Sequence, residues 1–403
     1  MSTKPLAGIR IADFSWVWAG PYCTLQLAHL GAEVIRIESR DRPCVTRLLP
    51  PFADFQAGPN RSGYFNQYNQ GKRSLTLNLK HPRALEVAHR LITQSDVVAE
   101  NFANGVMERM GLGYDTVRKL RPDVIFVSIS GYGRTGPERD FVSYGPATVP
   151  LAGFSSVTGY KGGPPMHVGI SYGDPTAGLH GALAVLAALC HRKRTGEGQF
   201  IDVSLWEASA SLLPDALLEY EMNGVEPPRD GNRDPHMAPH GVFRSAGQDR
   251  WVSIAVGSEE EWRALAAIVA DAELCGPRFA ALPDRKRNED ELEERLTRWT
   301  KTLSPEEATR RLQAAGVAAF PTMTNQDLAG DPHLNGREFF VDLPHPEVGK
   351  RHHAGIPWKL SATPCAVAAP APCLGQHNRE VLGEVLGYSE DEIESLAAGG
   401  ALG

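Results

Sequence analysis

Asp174, in the run SYGDPTAGLHGALAVLAAL, is the residue whose type and setting best suit covalent chemistry in this chain. Gly173 leaves backbone room beside it, and the residues from Pro175 onward read as a helix. The carboxylate therefore sits in the positive field of a helix start, which favours its ionised form. An ionised carboxylate can serve as a nucleophile toward an acyl carbon. The same spacing also describes a helix N-cap, because Asp is among the best caps and Pro175 suits the first helical position. The two roles are compatible.

The stretch from Gly173 to Glu207, with TGEGQFIDVSLWEA closing it, resembles the class III CoA-transferases, also called the CaiB/BaiF family, which includes formyl-CoA transferase and carnitine CoA-transferase. The likeness runs from PLAGIRIADFS at the start to LGQHNREVLGEVLGYSEDEI at the end. It implies that Asp174 attacks an acyl-CoA donor to give a mixed anhydride, that CoA thiolate returns to form an aspartyl-CoA thioester, and that an acceptor acid repeats both steps in reverse. Coenzyme A and acyl-CoA are then substrates, and no permanently bound cofactor is expected. Three segments, GKRSLTLNLK, ENFANGVMERMGL and SISGYGRTGP, are similar to those that line the CoA channel in this family. They provide the cations Lys72, Arg73, Lys80 and Arg109 for the phosphates, Lys80 and Arg109 being the better matches. Asn101 and Phe102, where a strand should end, suit pantetheine or adenine, and Leu77 and Leu79 match apolar contacts of the same pocket. Each of these also has a structural reading: solvated surface charge for the cations, core packing or strand alternation for the apolar residues.

Trp16, Val17, Trp18 and Ala19 occupy the segment that forms one wall of the family's active site. Formyl-CoA transferase has a glutamine at the position of Trp18, so an indole there offers one N–H donor and far more apolar area, and oxyanion stabilisation must lean on backbone N–H groups. If the two tryptophans face the site, they favour a bulkier acyl group than formate or oxalate. Two further departures stand out. Gly145 occupies the place of an acidic side chain, and GNRDPHMAPHGVF shows no counterpart to the glycine loop that shields the intermediate. The rival activity on the same fold is that of α-methylacyl-CoA racemase, which pairs the aspartate with a histidine; Tyr144 stands where that histidine is expected, so the acid/base pair is incomplete. A non-enzymatic reading is an acyl-CoA-binding subunit of a heteromeric transferase.

These residues need a scaffold. GIRIADFSW, EVIRIES, DVVAENF and DVIFVSISGYG read as strands, and GPYCTLQLAHLGA, HPRALEVAHRLITQS and YDTVRKLRP as the helices between them, the pattern of a parallel sheet with crossover helices. The fold expected is α/β: a Rossmann-like large domain over residues 1–222, a smaller α+β domain over 225–316 introduced by the hairpin GVFRSAGQDRWVSIAVG, and a linker with C-terminal return over 317–403. The first strand is not followed by GxGxxG, which argues against a dinucleotide. The resemblance implies an interlocked homodimer, with a heteromer of related subunits as the alternative.

At 403 residues the chain exceeds the roughly 250–300 at which single cores stop growing. A net charge of −7 without a basic face argues against nucleic acid. No apolar run is long enough to cross a bilayer and no leader precedes the first strand, so no membrane partner is expected. The six cysteines form no CxxC pair, from which a reducing cytoplasm and no structural metal are expected.

Overall fold

A computed structural model describes residues 4–403. Its chain divides into two units, the first running to Ser155 and taking in His167–Val225 and Leu334–Gly403, the second made of Ser156–Met166 and Glu226–His333.

The first unit is built on six parallel strands: β1 (Arg10–Asp13), β2 (Glu33–Glu38), β3 (Arg73–Thr76), β4 (Val97–Glu100), β5 (Ile125–Ser130) and β6 (Gln199–Ser204). Their order is β3-β2-β1-β4-β5-β6, the doubly wound arrangement expected from the sequence. The apolar runs of these strands are near-continuous because helices cover both faces. Alternate residues serve opposite sides: Ala12, Ile35, Leu75, Val98 and Phe126 join one core cluster, while Ile11, Val34, Val97, Ile125 and Val127 join the other. On the first face lie α3 (Pro82–Thr93), which buries Ala84, Val87, Ala88, Leu91 and Ile92 at helical spacing, and α5 (Tyr114–Leu120). Leu91 has no exposed surface, so Leu91→Ala costs about 2–5 kcal/mol. The second face is covered by α1 (Ala19–His29) and the long α8 (Gly173–Thr195). Between them in the chain come α2 (Gly63–Tyr68), the short α4 (Val106–Arg109), α6 (Gly145–Leu151) and α7 (Phe154–Val157). Residues 334–403 return to this unit through an antiparallel pair, Phe340–His345 with Gly349–Ala354, and a final helix, Glu390–Ala398, whose Ile393 and Leu396 complete the first core cluster.

The second unit is a three-stranded antiparallel sheet, β7 (His240–Arg244), β8 (Trp251–Ala255) and β9 (Ala318–Pro321), packed with helices Glu259–Val269, Glu289–Thr300 and Pro305–Ala314 around Phe243, Val252, Ile254, Trp262, Leu296 and Leu312. It extends past the 225–316 expected for the small domain because β9 pairs with β8 and buries Ala319. Ser156–Met166 belong to it as well, although they lie far from the rest in sequence.

Candidate active site

The first unit brings the starts of α1 and α8 together, and small residues make that possible. A Cβ on Gly178 would sit 2.7 Å from the Ala19 carbonyl oxygen, and one on Gly181 would sit 2.9 Å from Ile129 Cδ1. Two glycines one turn apart on α8 therefore let it rest against the first turn of α1 and the sheet. Asp174, in the first turn of α8, is carried to the point where the chain leaves β1.

Its local role differs from the expected cap. Tyr172 occupies the cap position, so Asp174 is the second residue of the helix, and its side chain bonds outward. The carboxylate accepts a hydrogen bond from the Ser171 hydroxyl, and the nearby Ala19 backbone N–H also favours its charged form. Only 7% of Asp174 is exposed. Burial pushes its pKa above the ordinary 3.8, with the Ser171 hydrogen bond and the Ala19 N–H opposing the rise. Desolvation thus works against the ionised form that the helix start was expected to favour.

Next to Ala19 lies an aromatic cluster. Trp18 is buried and packs edge-on against Tyr64, with ring centroids 5.7 Å apart, and tilted against Tyr68 at 5.0 Å. Burial raises the Tyr64 phenol, and the charge of Asp174 raises it further; burial pushes Tyr68 up to about 12. The Trp18 indole N–H is buried without a hydrogen-bond partner. On another side stands Gly145, where a Cβ would collide with the Asp174 carboxylate and the Ser171 hydroxyl. The acidic side chain of formyl-CoA transferase has no space here while Asp174 holds this rotamer. Tyr144, beside it, is exposed.

The other expected ligand contacts divide into three groups. Lys80 and Arg109 are exposed cations, Arg109 ending α4, and both are free to meet phosphate. Leu77 lies inside the first core cluster and Leu79 and Phe102 pack against it, Phe102 also meeting the Trp16 ring edge-on at 5.9 Å. Lys72, Arg73 and Asn101 are already engaged. Lys72 has a fully buried side chain, and its ammonium donates to Asp13 at 3.2 Å, to the Pro21 carbonyl and to Thr24, both at 2.8 Å. A buried ammonium held by three acceptors has the setting of a structural cation, unlike the exposed phosphate contact expected of Lys72. Arg73 starts β3, at the opposite end of the sheet from the ligand-binding edge, and pairs with Glu33 and Glu380. The Asn101 amide is committed to the backbone of Trp16, accepting from its N–H and donating to its carbonyl, each at 2.7 Å.

The model of the family described as CoA-transferase family III matches residues 6–378. The chain belongs to that family. It is 31% identical over 398 residues to the succinyl-CoA–D-citramalate CoA-transferase of Chloroflexus aurantiacus, covering 98% of this chain and 97% of that one. It is 35% identical over 399 residues to the succinyl-CoA:mesaconate CoA-transferase of Haloarcula hispanica, covering 97% and 99%. The crystal structure of a CaiB/BaiF family protein from Brucella suis superposes with a TM-score of 0.87 at 28% identity, over 96% of this chain and all of that one. Sequence reasoning singled out Asp174, Trp18 and Ala19 for this family III site but missed Ser171, Tyr64 and Tyr68. The signals were present: Ser171 precedes Asp174 by one helical turn, and Tyr64 and Tyr68 share a face of α2 at i, i+4.

Proposed function

We propose that this family III protein transfers CoA from an acyl-CoA, with succinyl-CoA as the leading donor, to a second carboxylic acid, with Asp174 as the covalent carrier. The observation that carries this reading is a buried carboxyl group in the first turn of α8 that accepts from the Ser171 hydroxyl, with the Ala19 N–H and the Tyr64 phenol in its neighbourhood. An Asp174 oxygen attacks the thioester carbonyl, the C–S bond breaks, and CoA leaves as thiolate. The thiolate then attacks the Asp174 acyl carbon of the mixed anhydride, releasing the donor acid and leaving an aspartyl-CoA thioester. The acceptor carboxylate reverses the sequence. Each intermediate hydrolyses if water reaches it, and the aromatic cluster opposes that. The Ala19 N–H and the unpartnered indole N–H of Trp18 are the donors available to developing negative charge. Lys80 and Arg109 supply cations for the CoA phosphates. No cofactor resides permanently in this scheme.

For the acceptor, the relatives named for citramalate and mesaconate support a branched or unsaturated dicarboxylate, in keeping with the bulky aromatic cluster. A homodimer is supported by the exposed apolar stripe of Leu179 and Leu183 on α8 and by Leu217, Leu218 and Met222 on helix Pro214–Asn223. The six free thiols support a reducing cytoplasm. Native mass spectrometry decides between a homodimer and a pair with a related subunit. Mass spectrometry of the protein mixed with succinyl-CoA and a panel of dicarboxylates is expected to find an adduct on Asp174 and exchanged CoA thioesters. Near-normal transfer by a folded Asp174→Ala variant overturns the assignment.

A further inference from the structure

Asp174 has two carboxylate oxygens, and the fold treats them differently. Oδ2 accepts from the Ser171 hydroxyl. It also lies against Gly145, where an added Cβ would collide with Oδ2 and with Ser171 Oγ. Asp174 Cγ stands 2.5 Å from that same point, farther than Oδ2, so the carboxylate turns its Oδ2 edge toward Gly145 and Ser171. Oδ1 therefore faces away from both.

A second glycine builds this arrangement. A Cβ on Gly173 would lie 2.5 Å from Thr148 Oγ1 and 3.2 Å from Ser209 Oγ, so the start of α8 rests against α6 only because Gly173 has no side chain. The Thr148 hydroxyl donates to the Gly145 carbonyl at 2.7 Å, which fixes the first turn of α6 beside Asp174. Ser171 lies one turn before Asp174, and its carbonyl accepts from the Asp174 N–H at 3.3 Å, so backbone and hydroxyl both join the two residues. A hydroxyl so placed can donate to a carboxylate oxygen, to an acyl carbonyl oxygen or to an oxyanion, whichever the Asp174 carboxyl becomes.

We propose that Ser171 is a catalytic residue for the steps that take place on Asp174 itself: Oδ1 is the attacking oxygen, and the Ser171 hydroxyl stabilises the negative charge that forms on Oδ2. The proposal rests on the reading of Asp174 as the covalent carrier. Attack by Oδ1 on the thioester leaves Oδ2 as the carbonyl oxygen of the aspartyl half of the mixed anhydride. When CoA thiolate adds to Cγ, a C–S bond forms and the π pair of the C=O bond moves onto Oδ2. On collapse the Cγ–Oδ1 bond breaks, and the donor acid leaves as a carboxylate that carries Oδ1. One thiolate enters and one carboxylate leaves, so no proton is required. The acceptor carboxylate then adds to the same carbon of the aspartyl-CoA thioester, and charge forms on Oδ2 again. A resting carboxylate shares its charge between two oxygens, whereas in each tetrahedral adduct Oδ2 carries a full charge. The Ser171 bond therefore strengthens as the barrier is climbed, and a donor already in place needs no reorganisation.

Rapid-quench measurements of intact mass, on the full chain mixed with succinyl-CoA and no acceptor, read the two steps separately: a succinyl adduct marks the anhydride and a CoA adduct the thioester. They are made at a pH above the Asp174 titration, where the rise in its pKa on losing Ser171 has no effect on the ionised fraction. In Ser171→Ala the succinyl adduct is expected to form at the wild-type rate and to persist, while the CoA adduct forms about 10²-fold more slowly, the cost of one oxyanion donor. Ser171→Cys keeps the size and a weaker donor; it is expected to fall between the two, and it takes the place of Ser171→Ala if that variant fails to fold. The proposal is overturned by a CoA adduct that forms within about twofold of the wild-type rate, or by a slowed CoA adduct with no succinyl adduct before it. It is overturned as well if both adducts slow together, which marks a residue that only orients Asp174. A wild-type protein that forms neither adduct, or an Asp174→Ala variant that forms both, overturns instead the reading of Asp174 as the carrier.

Discussion

Gly145→Ala isolates the geometry of the carboxylate from the stability of the fold. The new Cβ falls far inside the 3.4 Å at which ordinary contact begins, against both the Asp174 carboxylate and the Ser171 hydroxyl. Gly145 lies in the first turn of α6 and does not have a left-handed φ, so alanine suits its backbone and gains up to about 1 kcal/mol in helix propensity. Overpacking costs about 1–3 kcal/mol, leaving a net loss of roughly 0–2 kcal/mol, a modest part of a domain's stability. Catalysis is far more sensitive. Asp174 must move by about 1 Å or more, and a displacement of that size at a reacting atom costs about 10²-fold in rate, or about 2.7 kcal/mol of barrier. Initial rates of thioester exchange from succinyl-CoA, followed by chromatography below the thermal transition, are expected to show this fall while the urea midpoint barely moves. A folded Gly145→Ala variant that keeps kcat within about twofold refutes the reasoning, because the carboxylate would then have no need of the space that glycine leaves it.

Ser171→Ala removes a donor to the Asp174 carboxylate, so its pKa, already raised by burial, rises further and the acid limb of the kcat profile moves to higher pH. Trp18→Phe keeps the aromatic packing and deletes a buried N–H that has no partner; thermal stability is expected to hold or rise slightly, while kcat falls about tenfold if that N–H meets charge in the transition state. Lys72→Met leaves the buried Asp13 carboxylate without its ammonium and is expected to destabilise the protein by about 3–5 kcal/mol in urea unfolding, with little change in KM for the CoA thioester among molecules that stay folded. Burial alone would raise Glu38, yet Arg47 and Arg36 hold it at about 2, below its ordinary 4.5. Its depressed folded-state pKa means that its contribution, about 3 kcal/mol, is complete above pH 4.5 and is lost as pH falls toward 2; urea midpoints measured across that window should fall less steeply in Glu38→Gln than in the wild type.

The alternation of strands and helices in the first unit is legible in the chain because buried parallel strands read as unbroken apolar runs and their crossover helices as amphipathic ones. Asp174 was visible through the stretch around it, which resembles the CoA-transferases, since its spacing alone also describes a helix cap. Its register was not: whether Asp174 caps α8 or lies inside it depends on the backbone angles of Tyr172, which no residue type sets. The charges were least legible. Lys72 and Lys80 are the same residue type in one short segment, yet Lys72 is sealed against Asp13 and Thr24 while Lys80 meets solvent, a difference made by the packing of α1 over the sheet. Asn101 was expected as a ligand contact, and only the structure shows that its amide bonds the backbone of Trp16. Ser156–Met166 lie in the first half of the chain and belong to the second unit, a placement without local signal. The sequence by itself determined the element types and the sheet class, since these follow from periodicity and backbone preference, and its resemblance to the CoA-transferases singled out Asp174. Only the tertiary structure decided which charges are buried, which glycine faces the carboxylate and which hydroxyl reaches it, because those depend on how the folded chain presses particular groups to within hydrogen-bonding distance.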